Sequence, residues 1–399
     1  MNRRVFAAFF AIVAFAGAQF LHAENDAARG EIESAVEKIR ELKFLQPVVF
    51  DVVSHVTIKA TLEKKLAEQY SDGDFKNTTL GLAALGLLDR DFPLKQKLLD
   101  LLGEQVAAFY DQHAHKLFMF EDAKLELLQN KIILAHELTH ALQDQNFGLA
   151  KLPLEIKTND DRAIAASALV EGDATLVMSE YMMKNMTGAG AQQSLAGLMS
   201  QSTQQIEHAP RFLRETLMFP YVQGEQFCAT LQQHGGWKAV SDAFKNPPSS
   251  SAQILHPEKY LATPREEPVA ISWSGNDTTA LGKKPIDDNV LGELGVRILI
   301  SEWLDAETAE KVAGGWRGDR YLVFDDGKNL VLRTRWKNGA AAEAFVVAIQ
   351  QCWAKRRDAD ASRKSRFLQI ENLAPDDVLL IDAATQEWAV ALAEKFLRQ

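Results

Sequence analysis

The chain has 399 residues, 47% hydrophobic and 25% charged, with a formal net charge of −10. This is ample apolar material for one large domain or two, and the acidic balance excludes the basic profile expected of a nucleic-acid binder. With only Cys228 and Cys352, a cysteine-rich zinc site is also excluded. In an oxidising compartment the two can either join in one disulfide or stay buried as separate thiols.

Arg3 and Arg4 precede an apolar run, Val5 to Ala18, which gives way to small residues and then to Glu24. That is the layout of a secretory signal peptide, with cleavage after Ala23 or Ala18. The run is shorter than the roughly 20 residues a spanning helix needs. The expected product is an exported chain, periplasmic or secreted, with no stable membrane span.

Beyond residue 23, apolar periodicity predicts helices over 27–44 and 56–70, with a short strand at 48–52 between them. Short helices are expected at 80–88 and 94–102. AAFYDQHAHKLFMF, 107–120, has two β-rich runs around a polar centre and predicts a hairpin. A helix follows from about Ala123 to a stop at Gly148, and a second long one over 160–183. The stretch from Met186 is small and polar. Helices over 212–234 and 237–244 end at Asn246-Pro247-Pro248, followed by a turn and short element at 249–260. The composition changes near Pro264, so the chain divides into 24–265 and 266–399. The second part is expected to contain a strand at 269–273, a helix at 289–304 and a hairpin of 321–324 with 330–336. A helix at 340–354, a strand at 378–381 and a last helix from Thr385 complete it. The class is α+β, helix-dominated, with a smaller α+β C-terminal region.

Chemistry concentrates in ILAHELTHALQDQNF, 132–146. Positions four apart on a helix share a face, so His136 and His140 can present two imidazole nitrogens to one ion. Glu137 lies about 100° round from His136, close enough to act as a base without being a ligand. Apolar residues flank the pair, and buried imidazoles need partners; one zinc ion would supply one. A hydrolytic zinc site needs a third protein ligand. A metzincin would place glycine at 143 and histidine at 146, where Gln143 and Asn146 stand. Glu171, in the apolar segment AIAASALVEGDATLVM, is the favoured third ligand, with Asp173 as the alternative.

HELTHA with Asp144 resembles the zinc helix of thermolysin, and EGDA is similar to the third-ligand stretch of aminopeptidase N-like enzymes. Both are gluzincins. That resemblance implies a zincin-like catalytic core, His136, His140 and Glu171 as ligands, and Glu137 as general base. AFYD, AHELTHALQDQNF, ALVEGDA, FPYVQGEQF, SAQILHPEKY and GGWRGDRY together resemble exported bacterial proteins whose function is largely unassigned. Two positions depart from the gluzincin pattern. Thr175 stands where thermolysin-like chains have an aspartate, leaving Asp144 or Asp173 to orient His136, and the GxMEN aminopeptidase signature is absent.

The resulting expectation is a zinc peptidase acting on a peptide or protein substrate. Its alternative is a catalytically idle zinc-binding envelope protein, a chaperone or interaction module. Hydrolysis also needs a donor for the tetrahedral intermediate. His256 and Tyr260, fixed near Pro257, are the first candidates, and Tyr181 and Tyr221 the next; for His256 a purely local role in the turn competes. His113 and His115 read as a solvated turn.

Overall fold

The computed structural model describes residues 23–54, 63, 64, 66, 67, 70–103, 108–121, 123–185, 207–273 and 278–397. The segment read as a signal, most of the helix expected at 56–70 and the polar stretch from Met186 lie outside them. The described residues form twelve α-helices and two sheets, the α+β, helix-dominated class expected. No helix among them is long and apolar enough to cross a membrane.

The N-terminal half begins with α1 (Ala23–Arg40), β1 (Val49–Val53), α2 (Asp72–Leu85) and α3 (Leu94–Gly103). A capping box starts α2: the Ser71 hydroxyl accepts from the Asp74 N–H while the Asp74 carboxylate accepts from the Ser71 N–H. Then come β2 (Ala108–Asp111) and β3 (Lys116–Phe120), the expected hairpin. β3 sits at the centre of a three-stranded sheet, parallel to β1 and antiparallel to β2, so β2 is an edge. Against that edge packs α4 (Leu128–Phe147), the HExxH helix, which starts five residues later than expected and stops at Gly148 with φ 73°.

α5 (Asp160–Asn185) and α6 (Arg211–Lys245) pack along each other behind α4. α6 is two helical stretches meeting at Gly235 and Gly236, where the sequence places its break. Where α5 and α6 cross, a Cβ on Gly172 would overlap the Gly224 carbonyl, and one on Gly224 would overlap the Ala168 carbonyl. Two missing side chains therefore set the spacing of this pair. α7 (Ser251–Leu255) and α8 (Pro257–Leu261) complete this half.

The C-terminal half contains β4 (Asp287–Asn289), α9 (Gly292–Ser301), α10 (Ala306–Ala313), β5 (Trp316–Phe324), β6 (Asn329–Trp336), α11 (Gly339–Ala359), β7 (Phe367–Ala374), β8 (Asp377–Ala383) and α12 (Gln386–Phe396). Its sheet is antiparallel in the order β4-β5-β6-β8-β7. Both faces are buried, as alternation along the strands requires. Tyr321, Val323, Val378 and Leu380 join the main core, while Leu322, Phe324, Leu379 and Ile381 face Trp388, Leu392 and Phe396 of α12. The main core runs without interruption from Ile32 to Leu380 and includes residues on both sides of position 265. The strand expected at 269–273 is absent. Residue Val269 alone donates its N–H to the Arg317 carbonyl, beside an irregularity in β5.

A buried polar junction ties the halves together through the N–H groups of Leu294 and Asp160, which donate to Ser251 Oγ at 3.1 Å and to Asn289 Oδ1 at 2.8 Å. Asp161, at the start of α5, accepts from the Ser251 N–H at 2.9 Å, and Asp319 of β5 accepts from the N–H groups of Leu291 and Gly292 at 2.8 Å. Burial is the main force raising both carboxyls, Asp161 to about 7 against the Ser251 bonds and Asp319 to about 6. Folding thus favours protonated Asp161. Its contribution is complete below an ordinary aspartate pKa of 3.8 and is lost as pH rises through about 7. Asp161→Asn, which keeps the acceptor for Ser251, is expected to match wild type in thermal unfolding at pH 4. At pH 8 it should melt roughly a few degrees higher, and equal melting at both pH values would refute the assignment.

Candidate metal centre

α4 places His136 and His140 one turn apart, and α5 brings Glu171 against them. All three are buried, at 8%, 8% and 5% exposure. His136 Nε2 lies 3.1 Å from Glu171 Oε2, His140 Nε2 lies 3.4 Å from Glu171 Oε1, and the two Nε2 atoms are 3.1 Å apart. One ligand atom from each residue falls within 4.8 Å of the others. Burial opposes the charge on Glu171, but His140 and His136 outweigh it and hold the carboxyl well below its usual range. Burial likewise opposes a charge on His140, yet Glu171 and then Glu137 lift it to about 9.

The tautomer of His140 follows from its surroundings. Gln143 Nε2 donates to the Val170 carbonyl and to Asp173 Oδ2, both at 2.9 Å, so Gln143 Oε1 faces His140 Nδ1 at 3.0 Å as an acceptor. Nδ1 therefore carries a hydrogen, and Nε2 is the nitrogen that faces Glu171 and His136, protonated while Glu171 is its partner and a lone-pair donor once an ion takes the proton's place. Asp173 is in turn held by Arg40 Nε at 2.7 Å, a pair with no exposed surface. The Arg40 guanidinium stacks over Trp237 at 4.7 Å and donates to Ser241 Oγ at 3.1 Å. Asp173 thus supports a ligand rather than joining the cluster.

His136 is anchored differently. Its Nδ1 is buried and has no partner among the described residues, and the same is true of Thr175 Oγ1. Neither acidic alternative fills that role. Asp173 serves Gln143 and Arg40, while Asp144 accepts from the Tyr110 hydroxyl at 2.8 Å and the Leu149 N–H, and lies 2.7 Å from His115 Nδ1.

Glu137 extends from α4 toward the hairpin, where its Oε2 accepts the Tyr110 N–H of β2 at 2.7 Å. Burial raises its pKa first, His136 and His140 lower it, and Glu171 raises it, for a net rise. Tyr221 of α6 stacks on His136 with ring centroids 6.2 Å apart, and its hydroxyl bonds to Glu171. Burial, then Glu171 and Glu137, push that hydroxyl far above the tyrosine range, so it stays a donor, although 39% of the residue is accessible.

The two first candidates for an intermediate-stabilising donor are engaged elsewhere. His256 Nε2 lies 2.6 Å from Glu293 Oε1, and the Tyr260 hydroxyl donates to the Asn246 carbonyl at 2.9 Å. Neither has a hydrogen bond or ring contact to the cluster among the described residues. Tyr181 lies on α5 with its hydroxyl raised by burial and by Glu31. His113 pairs with Glu155 in the hairpin turn. Both cysteines are free and buried, Cys228 against the Leu169 carbonyl and Cys352 against that of Ile300. A hollow between α2 and α3 shares no lining residue with the cluster.

Two imidazoles and a carboxylate brought together in a buried site could hold a metal ion. A protein-family model described as a domain of unknown function, DUF8575, matches residues 279–393, which do not include the cluster. No curated protein matches the chain. A solved structure from Chloroflexus aurantiacus, of a candidate hydrolase described as having a novel fold, is similar at 16% identity. It covers 63% of this chain and 93% of its own, with a TM-score of 0.37, and at that score it carries no argument.

Proposed function

We propose that this protein is an exported zinc-dependent peptidase. The reading is carried by the convergence of His136, His140 and Glu171, with Glu137 on the same helix as the two histidines and tied to the hairpin edge. The N-terminal layout of 1–23 supports export. The donor set fits zinc: two imidazole nitrogens, which would be neutral once an ion displaces their protons, and one carboxylate, with the Gln143 bond at Nδ1 turning His140 Nε2 toward the site.

Zinc held there would supply Lewis-acid polarisation of a carbonyl and make a water more acidic. The remaining chemistry belongs to the chain. Glu137 has one oxygen occupied by the Tyr110 N–H, so its other oxygen takes a proton from the attacking water and delivers it to the leaving amine. Tyr221 replaces His256 and Tyr260 as the donor to the oxygen on which charge develops, because its hydroxyl end lies at the cluster. Asp173, Arg40 and Gln143 hold His140 rigid through that cycle.

The test is metal analysis together with peptide hydrolysis. Purified protein should carry about one zinc per chain, as a site with three protein ligands implies, and cleave members of a broad peptide library. His136→Ala should lose both. Zinc retained by His136→Ala would refute the site, and zinc-loaded wild type inert toward the library would refute the peptidase assignment.

A further inference from the structure

Positive charge gathers at one place far along the chain from the metal ligands. The last turn of α11 carries Arg356 and Arg357, the short turn after it Arg363, and the approach to β7 Arg366. These four arginines line a cleft together with Trp353, Leu368 and Asp382. Asp382 is the only carboxylate in that lining. It accepts from Arg366 Nε at 2.6 Å and Trp353 Nε1 at 3.1 Å, and lies 3.6 Å from Arg363 Nη1. Asp360, exposed, lies 3.6 Å from Arg363 Nε. Even with Asp360 counted, guanidinium groups outnumber carboxylates four to two.

Arg356 is the telling member. It is 3% exposed, its plane lies over Trp353 at 4.7 Å, and its Nη2 donates to the carbonyls of Ala83 and Ala84 at the end of α2. Helix capping accounts for Nη2 but not for Nη1, which is buried and has no partner among the described residues. Arginine does not discharge at physiological pH, so this group carries a buried charge offset chiefly by Asp382, a carboxylate that Arg363 and Arg366 also engage. Burial first, and then Arg363, drive its pKa down to about 9, which measures how badly the charge is placed. A water could satisfy the orphan N–H, but it would leave the charge excess.

We propose that this cleft binds a small tetrahedral oxyanion, phosphate or sulfate, held by Arg356 Nη1 with Arg357, Arg363 and Arg366. Guanidinium forks match oxyanions with paired, charge-assisted hydrogen bonds. The enclosed part of the cleft is only about 10 Å³, about the room of one water-sized oxygen, so one oxygen of the anion would sit beside Arg356 Nη1 with the rest at the mouth. Its residues all lie within the 279–393 match to the domain of unassigned function, and the site does not depend on the peptidase reading.

Isothermal titration of the whole chain with inorganic phosphate, and separately with sulfate, at fixed ionic strength in chloride, tests it. Arg356 and Arg363 are left intact because both donate to the Ala83 carbonyl at the end of α2; the variant is Arg357→Gln, at an exposed residue of the lining. Wild type should bind both anions saturably, and Arg357→Gln should bind them about tenfold or more weakly, the worth of a charge-assisted bond, with its melting in chloride unchanged. His136→Ala should bind sulfate like wild type. Three results would overturn the proposal: no saturable binding by wild type, undiminished binding by the arginine variant, or sulfate binding lost in His136→Ala.

Discussion

Glu137→Gln is expected to keep the metal and lose the reaction. The glutamine oxygen can still accept the Tyr110 N–H, so the side chain should stay where it is. No ligand is removed, and a carboxylate that burial already disfavours becomes neutral, so stability should be unchanged or slightly higher. What disappears is the basic oxygen. Loss of a general base costs about 10²–10⁴ in rate, and the fall should appear in kcat with zinc content unaltered. Tyr221→Phe is the companion: removing one donor to the developing oxyanion should cost about 10²–10³ in kcat, with little change in KM. Wild-type turnover in Glu137→Gln would show that the observed hydrolysis comes from another protein or another base.

The second large effect is structural. Gly224→Ala puts a methyl group into the Ala168 carbonyl across the α5–α6 crossing. Both partners are backbone in long helices, so neither yields as a side-chain tip would, and overpacking of this kind costs about 1–3 kcal/mol or more. The damage should reach the site. Glu171 adjoins Gly172, and Tyr221 lies one turn before Gly224, so parting the helices moves a ligand and the donor together. Urea unfolding should show the lower stability, and a zinc-chelator competition should show weaker metal binding. Gly30→Ala is the control: nothing lies within 4 Å of a Cβ there, and an exposed helical glycine gains about 0.5–1 kcal/mol on becoming alanine. A Gly224→Ala protein as stable as wild type would mean that the helices part without cost.

The contrast between what the sequence disclosed and what it concealed follows the range of the interactions. His136, Glu137 and His140 lie on one helix, and helical spacing alone puts them on neighbouring faces. The hairpin of β2 and β3 and the break at Gly235-Gly236 are local in the same sense. Glu171 was reachable because a carboxylate in an apolar helix needs a partner. Gln143 was half legible, being three residues beyond His140, but its acceptor role depends on Val170 and Asp173 from another helix. Arg40 gave no sign, since nothing near the end of α1 points to a residue 133 positions on.

Pro257 signalled a turn at His256 without disclosing Glu293, 37 residues away, which binds that imidazole. β7 escaped notice because it is an edge strand carrying Gln369, Glu371 and Asn372, without a clean apolar alternation. The strand expected at 269–273 failed for the opposite reason: its residues are β-prone, but only one backbone amide there reaches a neighbouring strand. FPYVQGEQF was conspicuous in sequence with no chemistry attached. Its tyrosine stacks on His136 and its glycine sets a helix spacing, and both facts exist only once the helices have met.

The buried Arg40–Asp173 pair has a bearing on biosynthesis. The support beneath His140 draws on Arg40, Gln143, Asp173, Trp237 and Ser241. A chain growing from its N-terminus cannot bury Arg40 against a counter-charge until Asp173 has emerged, and the remaining contacts wait for residue 241. Fragments ending before then carry HELTH intact but lack the scaffold that aims it. In a nascent or prematurely released chain the support for His140 is thus incomplete until residue 241 has been made.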